Sequence, residues 1–341
     1  MPQHTIMKLL VTRFSALGDV AMTVPVIYAV ATQNEDIEIT VMSKGFCAPL
    51  FAAMPANVTF RGVDFIKDYR GVNGLRRLVR SCGVDQFDAV ADLHDVLRTK
   101  YIRFYAMLHG LQVAAIDKDR CGRAALVRQR DKQLEQQKTG FAKYQTVFET
   151  LGLKADLTQV GDLGFAACEP QTDLPAIGIA PFAAHDGKIY PLEKMREVVR
   201  QLSATGRCHI YLFGGGQKER DVLETWEKEF TNVSSVADRL GGLDKELALM
   251  KTLRCMVSMD SANMHLASLV DTPVVSVWGA THPYAGFMGW RQNEANAIQV
   301  DLPCRPCSIF GNKPCLRGNY DCMNAIYPDI IVAKALAFIP E

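Results

Sequence analysis

The sequence predicts an α/β chain of two doubly wound domains, each a parallel sheet with helices on both faces. Three observations carry this. Short apolar runs alternate with amphipathic stretches of helical length through most of the chain, which requires crossover connections between parallel strands. Several runs are apolar at almost every position, as strands buried on both faces are. The alternation pauses at the polar, proline-containing stretch "CEPQTDLPA", Cys168 to Ala176, and then restarts. This places a first domain at residues 1–168, a linker at 169–176 and a second domain at 177–327. A final helix within 328–341 is free to pack back on the first domain.

In the first half the strands are "KLLVTR", "IEITVM", "NVTFRGV", "FDAVADL" and "QVAAID". Helices are expected near Asp19 to Gln33, Phe46 to Met54, Gly71 to Ser81, Val96 to His109 and Gly140 to Leu151. The second half repeats the pattern with "IGIAPF", "CHIYLFG", "NVSSVA", "RCMVSM" and "TPVVSVWG". Its helices are expected near Pro191 to Thr205, Gln217 to Phe230, Leu243 to Leu253 and Asn263 to Val270, before a last one at Pro328 to Phe338. Two such domains facing each other bind ligands at the carboxyl ends of their strands, in the cleft between them.

At 341 residues, 48% hydrophobic and 22% charged, the chain has the composition of a globular protein and excludes disordered or fibrous classes. The longest apolar run, Val20 to Ala31, contains Thr23 and Pro25 and is shorter than the roughly 18 to 20 residues of a membrane helix. The opening "MPQHTIMKLLVTRF" breaks its apolar core with Arg13 and offers no small-residue cleavage site, so a cytoplasmic protein is expected. A net charge of +1 argues against a dedicated nucleic-acid binder. The charge is uneven, however: Arg61 to Lys143 holds 17 Lys and Arg against 10 Asp and Glu. That basic sector is either a solvated surface or a face for an anionic acceptor or membrane.

Three strand-end loops of the second half carry chemistry. In "SMDSANMHLAS" a strand ends at Met259, Asp260 and Ser261 form the turn, and a helix begins near Asn263 with free first-turn amides, an arrangement suited to phosphate. His265 lies in the first turn. Read alone, Asp260 or Ser261 serves equally well as an N-cap, with His265 packed beside it. In "APFAAHDGKIYP", Lys188 precedes a helix opened by Tyr190-Pro191, where its ammonium can meet a negatively charged leaving group. A solvated lysine is the plainer reading of that segment in isolation. In "FGGGQKERD", glycines including Gly214 allow close backbone approach and Glu219 starts the next helix, but the pattern fits neither a dinucleotide fingerprint nor a P-loop.

In the first half, "RFSALGDVAMTVP" sets Ser15, Gly18 and Asp19 in a turn between the first strand and an apolar helix. Asp19 is either a stabiliser of the helix start or a carboxylate positioned to take a proton from a hydroxyl nucleophile.

Together, "LLVTRFSALGDVAMTVPV", "APFAAHDGKIYP", "LFGGGQKE" and "MDSANMHLAS...TPVVSVWGAT" resemble the successive motifs of the ADP-heptose:lipopolysaccharide heptosyltransferases, glycosyltransferase family 9. Gly45 to Leu174 carries none of these motifs. The resemblance implies a GT-B architecture of two Rossmann-like domains and an inverting, metal-independent transfer with no cofactor beyond the nucleotide sugar. It implies that Asp19 is the catalytic base and that Lys188 contacts the donor diphosphate and assists its departure. Ser15 and Gly18 shape the loop around Asp19 and belong, with Gly214, Glu219, Asp260, Ser261, Ala262 and His265, to the donor-binding set. The implied partners are ADP-heptose and a lipid-linked anionic saccharide at the cytoplasmic face of the inner membrane. Two positions depart from the family pattern: Ala262 stands where glycine is common, and Tyr190 where tryptophan is usual.

Cys304, Cys307, Cys315 and Cys322 have C-x2-C-x7-C-x6-C spacing. Alone this reads as a structural zinc site; similar cysteines in the resembled family favour thiols or bridged pairs instead. The other six cysteines are scattered and expected to be buried thiols.

Overall fold

The computed structural model describes residues 6–340. Residues 1–5 and 341, the extreme ends of the expected first and last segments, lie outside the described residues. The contacts divide the chain into two compact units, one running to Lys118 and resuming at Gly140–Gly164, the other comprising Asp119–Thr139 and everything from Phe165.

The first unit is built on β1 (Met7–Thr12), β2 (Ile37–Lys44), β3 (Val58–Val63), β4 (Ala89–Asp92) and β5 (Gln112–Ala115). They form one parallel sheet in the order β3-β2-β1-β4-β5. The central strand β1 is fully buried at Leu9, Leu10 and Val11, as a strand covered on both faces must be. The helices of the first half are α1 (Leu17–Ala21), α2 (Val24–Gln33), α3 (Gly71–Ser81), α4 (Leu97–Leu108), α5 (Arg120–Val127) and α6 (Gly140–Thr150). The single helix expected over Asp19 to Gln33 is two. Pro25 lacks an N–H and sits in the first turn of α2, so the chain restarts there rather than continuing from α1. The stretch expected as a helix from Phe46 is a 3₁₀ segment, Gly45–Phe51, with Pro49 inside it.

Helix α5 was not expected, and it belongs to the second unit. Leu126 is buried with Ala285 and Ile309, and the Gln137 amide donates to the Tyr284 carbonyl at 2.8 Å. The boundary is therefore not the single linker at 169–176. The chain visits the second unit, returns for α6, and crosses again by Phe165, whose carbonyl accepts from Lys251 Nζ at 2.6 Å. Nothing in the composition of Asp119–Thr139 marks that visit, because its tie is a few apolar side chains and backbone bonds.

The second sheet holds β6 (Ala176–Ala180), β7 (His209–Leu212), β8 (Val233–Ser235), β9 (Cys255–Met259), β10 (Val274–Val277) and the short β11 (Ala297–Ile298), in the order β11-β10-β9-β6-β7-β8, all parallel. Its helices are α7 (Leu192–Ala204), α8 (Gln217–Glu229), α9 (Leu243–Met250), α10 (Ala262–Leu269), α11 (Asp321–Asn324) and α12 (Pro328–Leu336). The last helix, expected to be free to pack back on the first domain, belongs to the second unit. Ile331 and Ala335 of α12 are buried in the second core with Val198 and Leu202 of α7, and Gln201 Nε2 donates to Asp329 Oδ1 at 2.7 Å. Among the described residues, no helix is long and apolar enough to cross a membrane.

Candidate functional site

In the first unit the chain leaves β1 into a turn fixed by its neighbours. The Arg13 amide donates to the Met42 carbonyl at 3.3 Å, and Ser43 Oγ donates to the Arg13 carbonyl at 2.6 Å. The Arg13 side chain runs inward, donating from Nη1 to the Leu93 carbonyl at 2.7 Å, while Nη2 lies 2.7 Å from Asp19 Oδ2. Burial works against the Arg13 charge, but Tyr144, Asp19 and Asp92 outweigh it and hold its pKa above the ordinary value. The Asp19 carboxylate also accepts from the Ala16 amide at 3.1 Å, so it does stabilise the start of α1. Its side chain is 33% exposed, against 10% for Arg13, so the carboxylate is the accessible member of the pair. From α6, Tyr144 Oη donates to the Asp19 carbonyl at 3.4 Å and backs the turn.

Ser15 faces a group that sequence reasoning missed. The Phe14 amide donates to His94 Nδ1 at 3.3 Å, which puts the ring proton on Nε2, 3.4 Å from Ser15 Oγ. His94 follows β4, where its amide and that of Asp95 donate to Asp92 Oδ1, both at 2.9 Å. Burial, then the charges of Arg13 and Lys118, lower its pKa to about 3. His94 is thus a neutral donor that orients Ser15 near neutral pH. Gly18 is buried within α1, in the same turn. Arg13 stood in the quoted motif without a role; its place directly after the strand was the available signal.

The second unit assembles a separate cluster. Lys188 ends a 3₁₀ turn after β6, and its Nζ lies 2.8 Å from Oδ2 of Asp260, the residue that follows β9. The loop is tightly knit. The Gly187 amide donates to the Gly311 carbonyl at 3.2 Å and the Ala280 amide to the Gly187 carbonyl at 2.8 Å. A Cβ on Gly187 would lie 2.7 Å from the Gly311 oxygen. One on Gly311, itself at φ +71°, would lie 2.6 Å from Lys188 Cγ. Both glycines are therefore required to aim Lys188.

The capping reading of the next turn is resolved by geometry. Ser261 is the N-cap of α10 but makes no side-chain cap bond, its Oγ resting 3.2 Å from Ser258 Oγ, and Asp260 is committed to Lys188. The first-turn amides starting at Ala262 are left without a side-chain cap. Ala262 occupies a helical position that needs no glycine. His265 is buried in the first turn, and its carbonyl accepts from Ser268 Oγ at 2.8 Å. Tyr190 does not face a ligand: it is wholly buried, its Oη donates to the Ile326 carbonyl at 2.9 Å, and burial pushes its phenol up.

At the glycine turn, Glu219 folds back and accepts from the Gly215 amide at 2.9 Å, while a Cβ on Gly214 would meet Leu223 and Glu219 at about 3 Å. The Gly216 amide donates to Asp238 Oδ2 at 3.0 Å. Glu219 thus shapes this loop. A neighbouring carboxyl was missed: burial, then the Asp238 charge, push Glu246 on α9 up to about 6.

The four clustered cysteines are free thiols lining one cavity of about 20 Å³. Among the described residues, no group of three or more His, Cys, Asp or Glu side chains is placed to hold a metal ion, so the four-thiolate zinc reading is not met. The segment is held by other means. Buried Arg305 donates from Nε to the Gly279 carbonyl at 2.6 Å and from Nη2 to the Thr281 carbonyl at 3.0 Å, and Lys132 Nζ caps the carbonyls of Cys304 and Pro306 at 2.8 and 2.9 Å. Burial pushes the Cys322 thiol up to about 11, and burial followed by Cys304 and Cys315 raises Cys307.

The family described as glycosyltransferase family 9 (heptosyltransferase) matches residues 75–313, a span that holds Lys188, Glu219, the Asp260 turn and Gly311. The chain belongs to glycosyltransferase family 9. Over 131 residues it is 21% identical to lipooligosaccharide heptosyltransferase 2 of Campylobacter jejuni, covering 37% of this chain and 39% of that protein; the match spans about two fifths of the relative's length. Among solved structures it is similar to a family 9 glycosyl transferase of Veillonella parvula, with TM-score 0.75 and 18% identity over 98% of this chain and 97% of that one. It is also similar to Escherichia coli heptosyltransferase WaaC with ADP-2-deoxy-2-fluoro heptose, with TM-score 0.65 and 20% identity over 94% and 97%. The two parallel-sheet units are those of the GT-B fold.

Proposed function

We propose that this glycosyltransferase moves a heptose from ADP-heptose to a lipopolysaccharide inner-core acceptor, with inversion at the anomeric carbon and without a metal. The observation that carries the reading is the second-unit cluster: an ammonium aimed by a buried carboxylate and two obligatory glycines, together with the uncapped amides of α10. A bound diphosphate accepts from such groups, and they stabilise charge that grows as it leaves. The solved WaaC structure with an ADP-heptose analogue supports the donor, and the Campylobacter lipooligosaccharide enzyme supports the acceptor class.

In this reading the second unit takes the donor, with Lys188 and the Ala262 amide on the diphosphate and His265, Ser261 and the Gly214 turn around the nucleotide. Asp260 holds Lys188 in place. The first unit takes the acceptor. Asp19 removes the proton of the acceptor hydroxyl as its oxygen attacks the anomeric carbon opposite the departing ADP, and Arg13, Ser15 and Gly18 hold the Asp19 turn. The acceptor is anionic and lipid-linked, which places the enzyme in the cytoplasm, peripheral to the inner membrane.

Calorimetric titration with ADP and ADP-heptose, with UDP, GDP and their sugars as controls, tests the donor. Selective ADP binding that weakens about tenfold or more in Lys188→Ala is expected, since a hydrogen bond to a charged group contributes about 1.5–3 kcal/mol. Preference for another nucleotide would discard the heptose assignment, and unchanged affinity in Lys188→Ala would remove its diphosphate role.

A further inference from the structure

Helix α4 carries apolar side chains on two opposite faces. Thr99, Ile102 and Ala106 are buried against the first unit's core. Leu97, Phe104, Met107 and Leu108 lie on the other side and are exposed, Leu97 by 82%. At about 100° per residue, positions 97, 104 and 108 fall within roughly 40° of one another and opposite Ala106, so they form a continuous stripe. Large apolar side chains aligned this way on a surface mark an interaction face rather than scatter.

The stripe begins at Leu97, whose chain neighbour Arg98 lines a cavity of about 720 Å³ in the first unit together with Lys44, Phe46, Phe65 and Ile66. Phe46 is 58% exposed and Ile66 88%. Cations accompany the rings: Lys44 Nζ lies 5.9 Å from the Phe46 centroid, and the Arg98 guanidinium 4.6 Å from that of Phe65. From Lys44 to Arg103 the sequence holds ten Lys and Arg against six Asp and Glu. The carboxylates near the rim are engaged or outnumbered. Asp64 and Asp68 also line the cavity, Asp64 accepting from the amides of Ile66 and Lys67 at 2.8 and 3.0 Å, and Asp95 pairs with Arg103 at 2.9 Å; the adjoining hollow that shares Asp68 is lined by Lys67, Arg77 and Arg80.

We infer that this face, the cavity rim at Phe46 and Ile66 and the outer stripe of α4 from Leu97, seats the enzyme on an anionic bilayer. Exposed apolar groups flanked by basic residues suit the boundary between headgroups and acyl chains, where the former enter and the latter meet lipid phosphates. A protein partner would be matched as well by an apolar face alone; the surrounding excess of cations selects an anionic surface. The inference rests on the proposed lipid-linked acceptor and identifies the surface that would meet the membrane carrying it.

The test is co-sedimentation of the full chain with phosphatidylcholine vesicles, with and without phosphatidylglycerol. Binding is expected only to the anionic vesicles, to weaken with added salt, and to fall at least tenfold in Ile66→Glu/Leu97→Glu. Both positions are almost fully exposed, and an unchanged ADP titration shows the variant folded with its donor site intact. The inference is overturned if wild type ignores anionic vesicles, if the variant binds them as well as wild type, or if the substitutions abolish self-association instead. No step of this assay requires sugar transfer. Vesicle binding without use of ADP-heptose sinks the proposed function and leaves the surface standing. Equal transfer by both proteins to a delipidated acceptor, with no vesicle binding, sinks only the surface.

Discussion

Asp19 and Asp260 each follow a parallel strand and each contacts a cation, Arg13 at 2.7 Å and Lys188 at 2.8 Å, yet the pairs are built with opposite polarity. In the first unit the cation is the buried member and the carboxylate is accessible. In the second the carboxylate is 4% exposed and the ammonium is the more accessible group. A buried partner is pinned by its surroundings and serves to aim the other, which is presented to reactants. The first pair therefore offers a negative group suited to taking a proton, the second a positive group suited to an anion. Sequence patterns at strand ends do not distinguish these cases, because both read as an acidic residue at a helix start.

The largest effect that would break this comparison is on turnover. Asp19→Asn keeps the shape and the bond from the Ala16 amide but removes the basic oxygen, and single-turnover transfer is expected to slow by about 10²–10⁴-fold. Near-normal transfer would take Asp19 out of the mechanism. Stability separates the two pairs next. Asp260→Ala strands a largely buried ammonium and is expected to cost about 3–5 kcal/mol in urea unfolding. The partly exposed Asp19, screened by solvent, should cost only about 1 kcal/mol when changed to Ala. Equal losses would contradict the difference in burial.

His94 sharpens the account of the first turn through pH. Its folded pKa of about 3 lies below the unfolded value of 6.5. Between these values the unfolded chain binds the extra proton, so this contribution to stability is complete above pH 6.5 and declines as pH falls towards 3. His282, lowered to about 4 by burial and then Arg305, adds a loss of the same sign. His94→Gln should flatten the acid slope of unfolding free energy by up to about 1 kcal/mol per pH unit, leaving the His282 part. An unchanged slope would show that His94 titrates normally. The smallest effect belongs to Glu219: as a loop-shaping acceptor, Glu219→Gln should weaken ADP binding only a few fold by calorimetry, and a hundredfold loss would make it a direct nucleotide ligand.

The parallel strands were legible because unbroken apolar runs between helical stretches allow few other folds. The places of Asp19, Lys188 and Asp260 in the loops after strands were legible because the strands β1, β6 and β9 were. What the sequence concealed depends on tertiary contact. The visit of Asp119–Thr139 to the second unit hangs on Leu126 and Lys132, ordinary residues in a polar stretch. His94 lies 79 residues from Ser15, and Gly311 became meaningful only against Lys188 Cγ. The cysteine spacing misled in the other direction: a metal-like pattern is here a loop tied down by Arg305 and Lys132, and Tyr190 stands at the aromatic position to reach the Ile326 carbonyl rather than a ligand.

The most direct test of the opposite-polarity pairs is the affinity of ADP-heptose for Asp19→Asn and Lys188→Ala, measured side by side by calorimetry. The expected result is a dissociation constant within a few fold of wild type for Asp19→Asn, despite its lost turnover, and one at least tenfold weaker for Lys188→Ala. Donor binding lost in Asp19→Asn and retained in Lys188→Ala would contradict the assignment of proton removal to one pair and diphosphate recognition to the other.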